Sequence, residues 1–280
     1  MRTIRFATFL APILLPTYRF ITHLLGQKLA CPTELLVGTS YEQMLQSVDA
    51  GFVCGLAYVK LVRQQQAALE PLVAPILRGD RYGGKAVYFS DVIVHRDSPY
   101  YSFGDLRGRS WCYNERLSQS GYGVTKYHLA MIGETMGFFG EVIEAGYHHR
   151  SIRLVSSGKV DAATIDSHVL ALAFRHHSDL AAYLRIIETL GPSTIQPIVV
   201  SRRLPRSLRR EMRAALIEMH ADSTARDEFD RALIQRFTSV NDDSYADIRA
   251  MQNAADAMDR STWVQNGLAV NGGEARDIRR

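Results

Sequence analysis

Strand-like runs alternate with helix-like runs from the first residues of this chain, and no other feature narrows its fold as far. Ile4–Leu10 reads as a strand, Pro12–Leu29 as a helix with proline near its start and Gly26 near its end, and Glu34–Gly38 as a second strand. Ser40-Tyr41-Glu42-Gln43 has the form of a capping box that opens a short helix through Val48. Phe52–Leu56 follows as a third strand ending beside Tyr58, and Leu72–Leu77 as a fourth. This alternation predicts parallel α/β architecture, in which ligands gather beyond the carboxyl ends of the strands.

Val87–Val94 is β-rich and leads out of this first lobe. Ser102-Phe103-Gly104-Asp105 has a second capping-box form. Val142–Ala145 and Val160–Asp166 read as short strands, with His148–Val155 between them and Gly158 as a stop, and Leu184–Glu188 continues a second sheet. Ile195–Val200 looks like a return strand whose Pro197 suggests an edge or crossover position. Beyond Pro205 the pattern is wholly helical, with Leu208, Met212, Ala215, Leu216 and Met219 on one face and Phe229, Leu233 and Phe237 on another. The expected organisation is two α/β lobes, residues 1–90 with 197–262 and residues 91–196, joined by two hinge crossovers around a ligand cleft. Residues 263–280, with glycines and unpatterned charges, are expected to form a flexible tail.

Within the second lobe, the short apolar run Trp111-Cys112-Tyr113 enters a polar loop. Ser118, Gln119, Ser120, Gly121 and Gly123 follow, and then an amphipathic pattern begins with Val124, Tyr127, Met131 and Ile132 on one face. The serines therefore fall where a helix starts. Backbone N–H groups at such a tip lack partners inside the helix, and the aligned peptide dipoles put partial positive charge there, so the tip attracts a small anion. The glycines let the backbone approach a ligand closely, and the hydroxyls add donors without net charge. Simple capping of the helix by Ser118 or Ser120 is the competing account.

Composition excludes little. At 280 residues the chain has ample apolar residues for two cores. Its formal net charge of +4 owes much to arginines between Arg202 and Arg213. These fall mainly opposite the Leu208, Met212 and Met219 face, which reads as a solvated helix surface, and no nucleic-acid partner is expected. Cys31, Cys54 and Cys112 match no zinc pattern and cannot all pair, so buried reduced thiols are expected. No stretch approaches the length of a membrane span, so no direct membrane insertion is expected. Met1-Arg2-Thr3 leads at once into a strand without the order of a secretory signal. The protein is therefore expected either to stay in the cytoplasm or to carry an export signal elsewhere.

Ser118 or Ser120, His148 and Asp166 occur in the order Ser, His, Asp. The nucleophile elbow G-x-S-x-G is absent, however, which argues against a hydrolase triad. In the pairs His148-His149 and His176-His177 the adjacent rings point in different directions, so neither makes a chelate, and no metal or other cofactor is expected. Tyr100-Tyr101 follows Ser98-Pro99 in a turn and reads as exposed. Tyr41, Tyr58 and Tyr88 lie near strand ends or helix starts of the first lobe. They are either half-buried core residues or the aromatic wall that closes over a ligand held at Ser118–Gly121.

Several of these motifs, in this order and spacing, resemble one family. They are Phe103-Gly104-Asp105-Leu106-Arg107-Gly108-Arg109-Ser110-Trp111, Ser118-Gln119-Ser120-Gly121-Tyr122, Gly146-Tyr147-His148 with Ser151-Ile152, Gly158 to Asp166, and Gly191-Pro192-Ser193. Together they resemble the phosphate, phosphite and phosphonate-binding proteins of ABC importers, from Thr8 through Pro205. The resemblance implies a type 2 periplasmic-binding-protein fold and a non-enzymatic solute receptor whose lobes close on a small oxyanion. It implies a ligand-binding set of Ser118, Gln119, Ser120, Gly121, His148 and Asp166, with Tyr41, Tyr58 and Tyr88 in the first lobe. It further implies an importer permease as partner and a periplasmic location. Gln119 departs from the family's common threonine, and Tyr147 from its serine. The alternatives are an enzyme on the same scaffold, of the thiamine-pyrimidine or menaquinone-pathway type, using His148 and Asp166, and a cytoplasmic sensor that passes ligand-driven closure to a partner.

Overall fold

The computed structural model describes residues 2–64 and 68–272, with only the helical backbone described for residues 261–272. The amino-terminal part runs β1 (Ile4–Thr8), α1 (Leu15–Lys28), β2 (Thr33–Val37), α2 (Gln43–Gln46), β3 (Ala50–Phe52), α3 (Gly55–Gln64) and β4 (Leu69–Leu77). A second run follows with β5 (Val87–His95), β6 (Ser110–Tyr113), α4 (Val124–Met131), β7 (Glu141–Glu144), α5 (His148–Ser156), β8 (Ala162–Asp166), α6 (Ser167–His176), α7 (Leu180–Tyr183) and β9 (Leu184–Thr194). The chain then returns through β10 (Ile198–Ser201), α8 (Arg206–Glu218), α9 (Ser223–Arg231), β11 (Ile234–Ser239) and α10 (Ala246–Gly272).

These strands form two sheets, ordered β11-β4-β10-β3-β1-β2 and β7-β6-β8-β5-β9. In the first, β1 is parallel to both β2 and β3, while β10 runs antiparallel between β3 and β4. In the second, β6 is parallel to β7 and β8, and β5 is antiparallel to β8 and β9. The chain passes between sheets twice, before β5 and through Ile195-Gln196-Pro197. This is the expected α/β architecture with two crossovers, but both sheets are mixed rather than parallel, because the strands at and after each crossover run antiparallel to their neighbours. One apolar cluster fills the first unit, around Phe6, Leu25, Leu72 and Val199. Two more line the second sheet, around Trp111 and around Ile165.

The structure corrects several local readings. The third strand stops at Phe52, and the chain turns into α3 at Gly55, so Tyr58 lies on a helix rather than at a strand end. Gly55 leaves room there for Ile248, whose Cδ1 would stand 2.5 Å from an added Cβ and would have to shift. The helix after Ser40 is only the four residues of α2, although Gln43 Oε1 still accepts from the Thr39 amide at 3.0 Å. Of the two positions Pro197 suggests, the crossover is the one it takes: β10 is interior to its sheet, Pro197 precedes it, and the missing proline N–H costs no ladder bond. The region beyond Pro205 is not wholly helical. Phe229, Leu233 and Phe237 mimic helical spacing, but Leu233 takes a left-handed φ of 55° and Phe237 lies on β11, paired antiparallel with β4. Sheet pairing outweighs the local periodicity here. Helix α10 extends to Gly272, well into the segment expected to be a tail, while residues 273–280 lie outside the described residues. The Ser102–Asp105 capping box is present, on a short 3-10 helix.

Candidate functional site

The carboxyl ends of β1, β3, β6, β7 and β8 meet around one cavity of about 70 Å³, and each strand hands the chain on to a helix. Leu10 and Ala11 open the helical segment of α1, Cys54 precedes α3, Ser118 caps the turn into α4, Tyr147 and His148 start α5, and Asp166 caps α6. Five helix amino termini thus face a single space. Their dipoles add partial positive charge to a space that the Glu115 and Asp166 carboxylates also border and that, among the described residues, no lysine or arginine lines.

The turn into α4 is a π-helical segment, Gln119–Gly123. Ser118 Oγ accepts from the Gly121 amide at 3.0 Å, so the capping account and the ligand account describe the same hydroxyl. Gly121 lets Asn114 pack against the turn: a Cβ there would lie 1.9 Å from Asn114 Oδ1 and displace that side chain. Ser118 Oγ lies 3.5 Å from Ser120 Oγ, and Ser120 Oγ lies 3.2 Å from His148 Nε2. His148 Nδ1 is buried with no partner, and so is Asn114 Oδ1. Burial lowers the His148 pKa to about 4, opposed only in part by the Asp166 carboxylate. The imidazole is therefore neutral near pH 7.

Asp166 borders the cavity, but protein donors occupy both of its oxygens. Oδ1 accepts from the His168 and Val169 amides at 2.8 and 3.2 Å, and Oδ2 accepts from Gln196 Nε2 at 2.6 Å. The carboxylate thereby caps α6 and ties it to the second crossover. It makes no bond to His148 Nδ1, so Ser120, His148 and Asp166 form no catalytic relay.

Ser118, Ser120, His148 and Asp166 are brought together around the cavity. Gln119 is not: its side chain turns away, donating to Ser193 Oγ and Met251 Sδ at 3.2 Å each, while its amide points at Cys54 Sγ. Gly121 does not line the cavity either, and its amide is taken up by Ser118 Oγ. Tyr88 is buried on β5 behind the turn, beside Ser120, with a hydroxyl that has no aligned partner. Tyr41 lies in a larger adjoining chamber of about 780 Å³ that shares Phe9, Leu10, Glu115, Gly146 and Tyr147 with the first. There it stacks on Phe9 with ring centroids 4.7 Å apart and donates to Glu115 Oε1 at 3.0 Å.

Tyr58 is a correction. The helical phase of α3 turns it away from this space, so that its hydroxyl donates to Asp242 Oδ1 at 2.6 Å and its ring packs edge-on against Tyr245. Among the histidine pairs, His149 is exposed while His148 is buried, as expected for neighbours on a helix. No group of three or more metal-ligating side chains occurs among the described residues.

Sequence reasoning missed Tyr18, Asn114, Glu115, His168 and Gln196, all of which line the inner cavity. Asn114 and Glu115 follow β6 immediately, and the carboxyl-end rule would have found them. Tyr18, whose pKa burial raises, sits a full turn inside α1 and carries no local signal. Gln196 stands in the crossover, and only the fold reveals its bond to Asp166. His168 Nε2 contacts the Ala232 carbonyl at 2.6 Å and must carry the proton, because a carbonyl can only accept.

Residues 13–245 match the family described as "ABC transporter, phosphonate, periplasmic substrate-binding protein". Among solved structures, the chain is similar to a binding-protein component of an ABC phosphonate transporter from Pseudomonas aeruginosa. That match has a TM-score of 0.78 at 17% identity and covers 92% of this chain and 87% of that one. It is similar also to PhnD1 from Prochlorococcus marinus in complex with methylphosphonate, with a TM-score of 0.78 at 15% identity, covering 91% and 98%. A Xanthomonas citri protein bound to ATP matches with a TM-score of 0.69 at 17% identity, covering 93% and 99%. At these identities the structural likenesses show the fold, that of type 2 periplasmic binding proteins. The family match covers most of the chain, and the chain belongs to the phosphonate periplasmic substrate-binding proteins of ABC transporters, a family of binding proteins rather than enzymes.

Proposed function

We propose that this chain captures a phosphonate, gripping the oxyanion head in the inner cavity with the Ser118 hydroxyl, the hydroxyl and backbone amide of Ser120 and neutral His148, and delivers it to an importer permease in the periplasm. The observation that carries this reading is the convergence of five helix amino termini on a cavity without a cationic side chain. Micromolar binding requires about 8 kcal/mol. Each hydrogen bond to a charged group supplies about 1.5–3 kcal/mol, so four such donors in a closed cleft suffice. The buried, unpartnered Nδ1 of His148 is a further group that a ligand could satisfy.

The adjoining chamber favours phosphonate over phosphate or phosphite. It offers the Phe9–Tyr41 stack and Tyr147 beside the small head-group cavity, room that an inorganic anion leaves unused. Residues 1–90 with 197–262 act in this proposal as one lobe and residues 91–196 as the other, closing about the two crossovers. Gln119 in place of the family's threonine works as a packing residue, since its side chain reaches Ser193 and Met251.

Isothermal titration with methylphosphonate, phosphite, phosphate and methanesulfonate tests the assignment. Saturable binding with methylphosphonate tightest supports it. A folded protein that binds none of the four overturns it.

A further inference from the structure

A second chamber, of about 560 Å³, lies on the far side of α3 from the cleft, between α3, α10 and the ends of β4 and β10. Its size is typical of small-molecule sites. Three guanidinium groups line it, from Arg63 on α3, Arg202 just past β10 and Arg249 on α10, against the single carboxylate of Asp242. That carboxylate is already engaged. Its Oδ1 accepts the Tyr58 hydroxyl at 2.6 Å and is in ion contact with Arg249.

The other arginines of this region have structural employment. Arg203 donates to the carbonyls of Leu45 and Val48, and Arg209 and Arg213 both pair with Glu70. The lining arginines have less. Arg202 makes one long bond, from Nε to the Leu69 carbonyl at 3.3 Å. Arg249 has only Asp242 among the described residues, its Nη1 donating to the Asp242 carbonyl at 2.9 Å and its Nη2 in ion contact with the Asp242 carboxylate. Arg63 has no hydrogen-bond or ion-pair partner among the described residues. Like charges facing one space repel one another, and a bound anion relieves that repulsion. Guanidinium forks suit carboxylate and phosphate groups in particular, because they can bind them bidentately.

Val59, Val62 and Leu69 give the chamber an apolar lining beside the charges, and Gln252 and Asn253 add amide side chains. We infer that this chamber is a second ligand site, selective for an organic anion: a carboxylate or phosphate seated among Arg63, Arg202 and Arg249, on an apolar body lying against Val59, Val62 and Leu69. It is separate from the phosphonate cleft, shares no lining residue with it, and stands or falls independently of that assignment.

Phenyl phosphate and benzoate carry the two head groups on one apolar body, and titrating each into protein with ¹⁵N-labelled arginine side chains tests the site. The expected result is saturable, parallel shifts of the Arg63, Arg202 and Arg249 Nε–H signals at or below about 10 mM of at least one probe. Arg206 and Arg210, exposed on α8, should stay still. Saturation by both probes assigns the site to either head group, and saturation by one assigns it to that class. Because Arg63 has no partner to lose among the described residues, Arg63→Glu should melt like the parent while weakening the probe at Arg202 and Arg249 by tenfold or more. A Ser120→Ala variant should leave these shifts unchanged, which separates them from binding in the cleft. The inference is overturned if neither probe saturates, if all exposed arginines shift together, or if the shifts survive Arg63→Glu.

Discussion

The Tyr41 hydroxyl donates to Glu115 Oε1 at 3.0 Å, joining the loop before α2 to the loop after β6 across the mouth of the cleft. Burial raises the Glu115 pKa and the Tyr41 bond opposes that rise, so the bond helps to keep a half-buried carboxylate ionised. Because the two loops belong to different sheets, the contact is one that the proposed closure of the cleft would make and its opening would break. Tyr41→Phe removes about 1–2 kcal/mol from the closed form. Methylphosphonate should then bind about five- to thirtyfold more weakly, with faster release and an unchanged melting temperature. Unaltered affinity in a stopped-flow or calorimetric titration would remove Tyr41 from the closing mechanism.

Ser118 and Ser120 stand two residues apart yet should fail in different ways. Ser118 caps the turn through the Gly121 amide, so Ser118→Ala should cost about 1 kcal/mol of stability in addition to any loss of affinity. Ser120 caps nothing and contacts His148 instead. Its replacement by alanine should leave the fold nearly as stable but weaken anion binding by about tenfold or more, the worth of one hydrogen bond to a charged group. Denaturant melts and ligand titrations on the same two variants check both halves. Parental affinity in Ser120→Ala would contradict the proposed grip.

His148 makes stability depend on pH in a defined direction. Its pKa is about 4 in the fold, against about 6.5 in an unfolded chain. Between those values the unfolded state binds the extra proton, so stability falls as the pH drops through this window. The full effect approaches 3 kcal/mol. Burial pushes His168 in the same direction, so the slope has more than one source. Urea midpoints measured from pH 7 to pH 4 should decline, and His148→Gln should flatten the decline without abolishing it. An unchanged slope in the variant would mean that His148 is not held neutral.

The chemistry of the α4 turn was legible because its determinants are local: an apolar strand, a polar loop, serine before glycine, then helical periodicity. His148 and Asp166 were picked out by their order after the serines and by the family resemblance, and the fold places each at the junction of a strand with a helix. Local sequence could not show that Gln119 would turn towards Met251 on α10, more than a hundred residues away, or that Gln196 would claim an oxygen of Asp166. β11 was hidden for a different reason. Phe229, Leu233 and Phe237 repeat every four residues, so only the pairing of β11 with β4 distinguishes strand from helix.

Tyr58 provides the sharpest contrast between a residue in the right neighbourhood and a residue in the cleft. It lies on α3, whose first turn borders the inner cavity at Cys54, but its side chain crosses to Asp242 and Tyr245 on the opposite side. Its hydroxyl is half of a bond to a carboxylate, so Tyr58→Phe should lower stability by about 1–2 kcal/mol. It makes no contact with the serine turn, and distant sites are close to independent. Methylphosphonate affinity should therefore remain within about twofold of the parent, even where Tyr41→Phe loses much more. A large loss in Tyr58→Phe, with the fold intact, would show that the two sides of α3 are coupled, and would place closure of the cleft partly in the packing between α3 and α10.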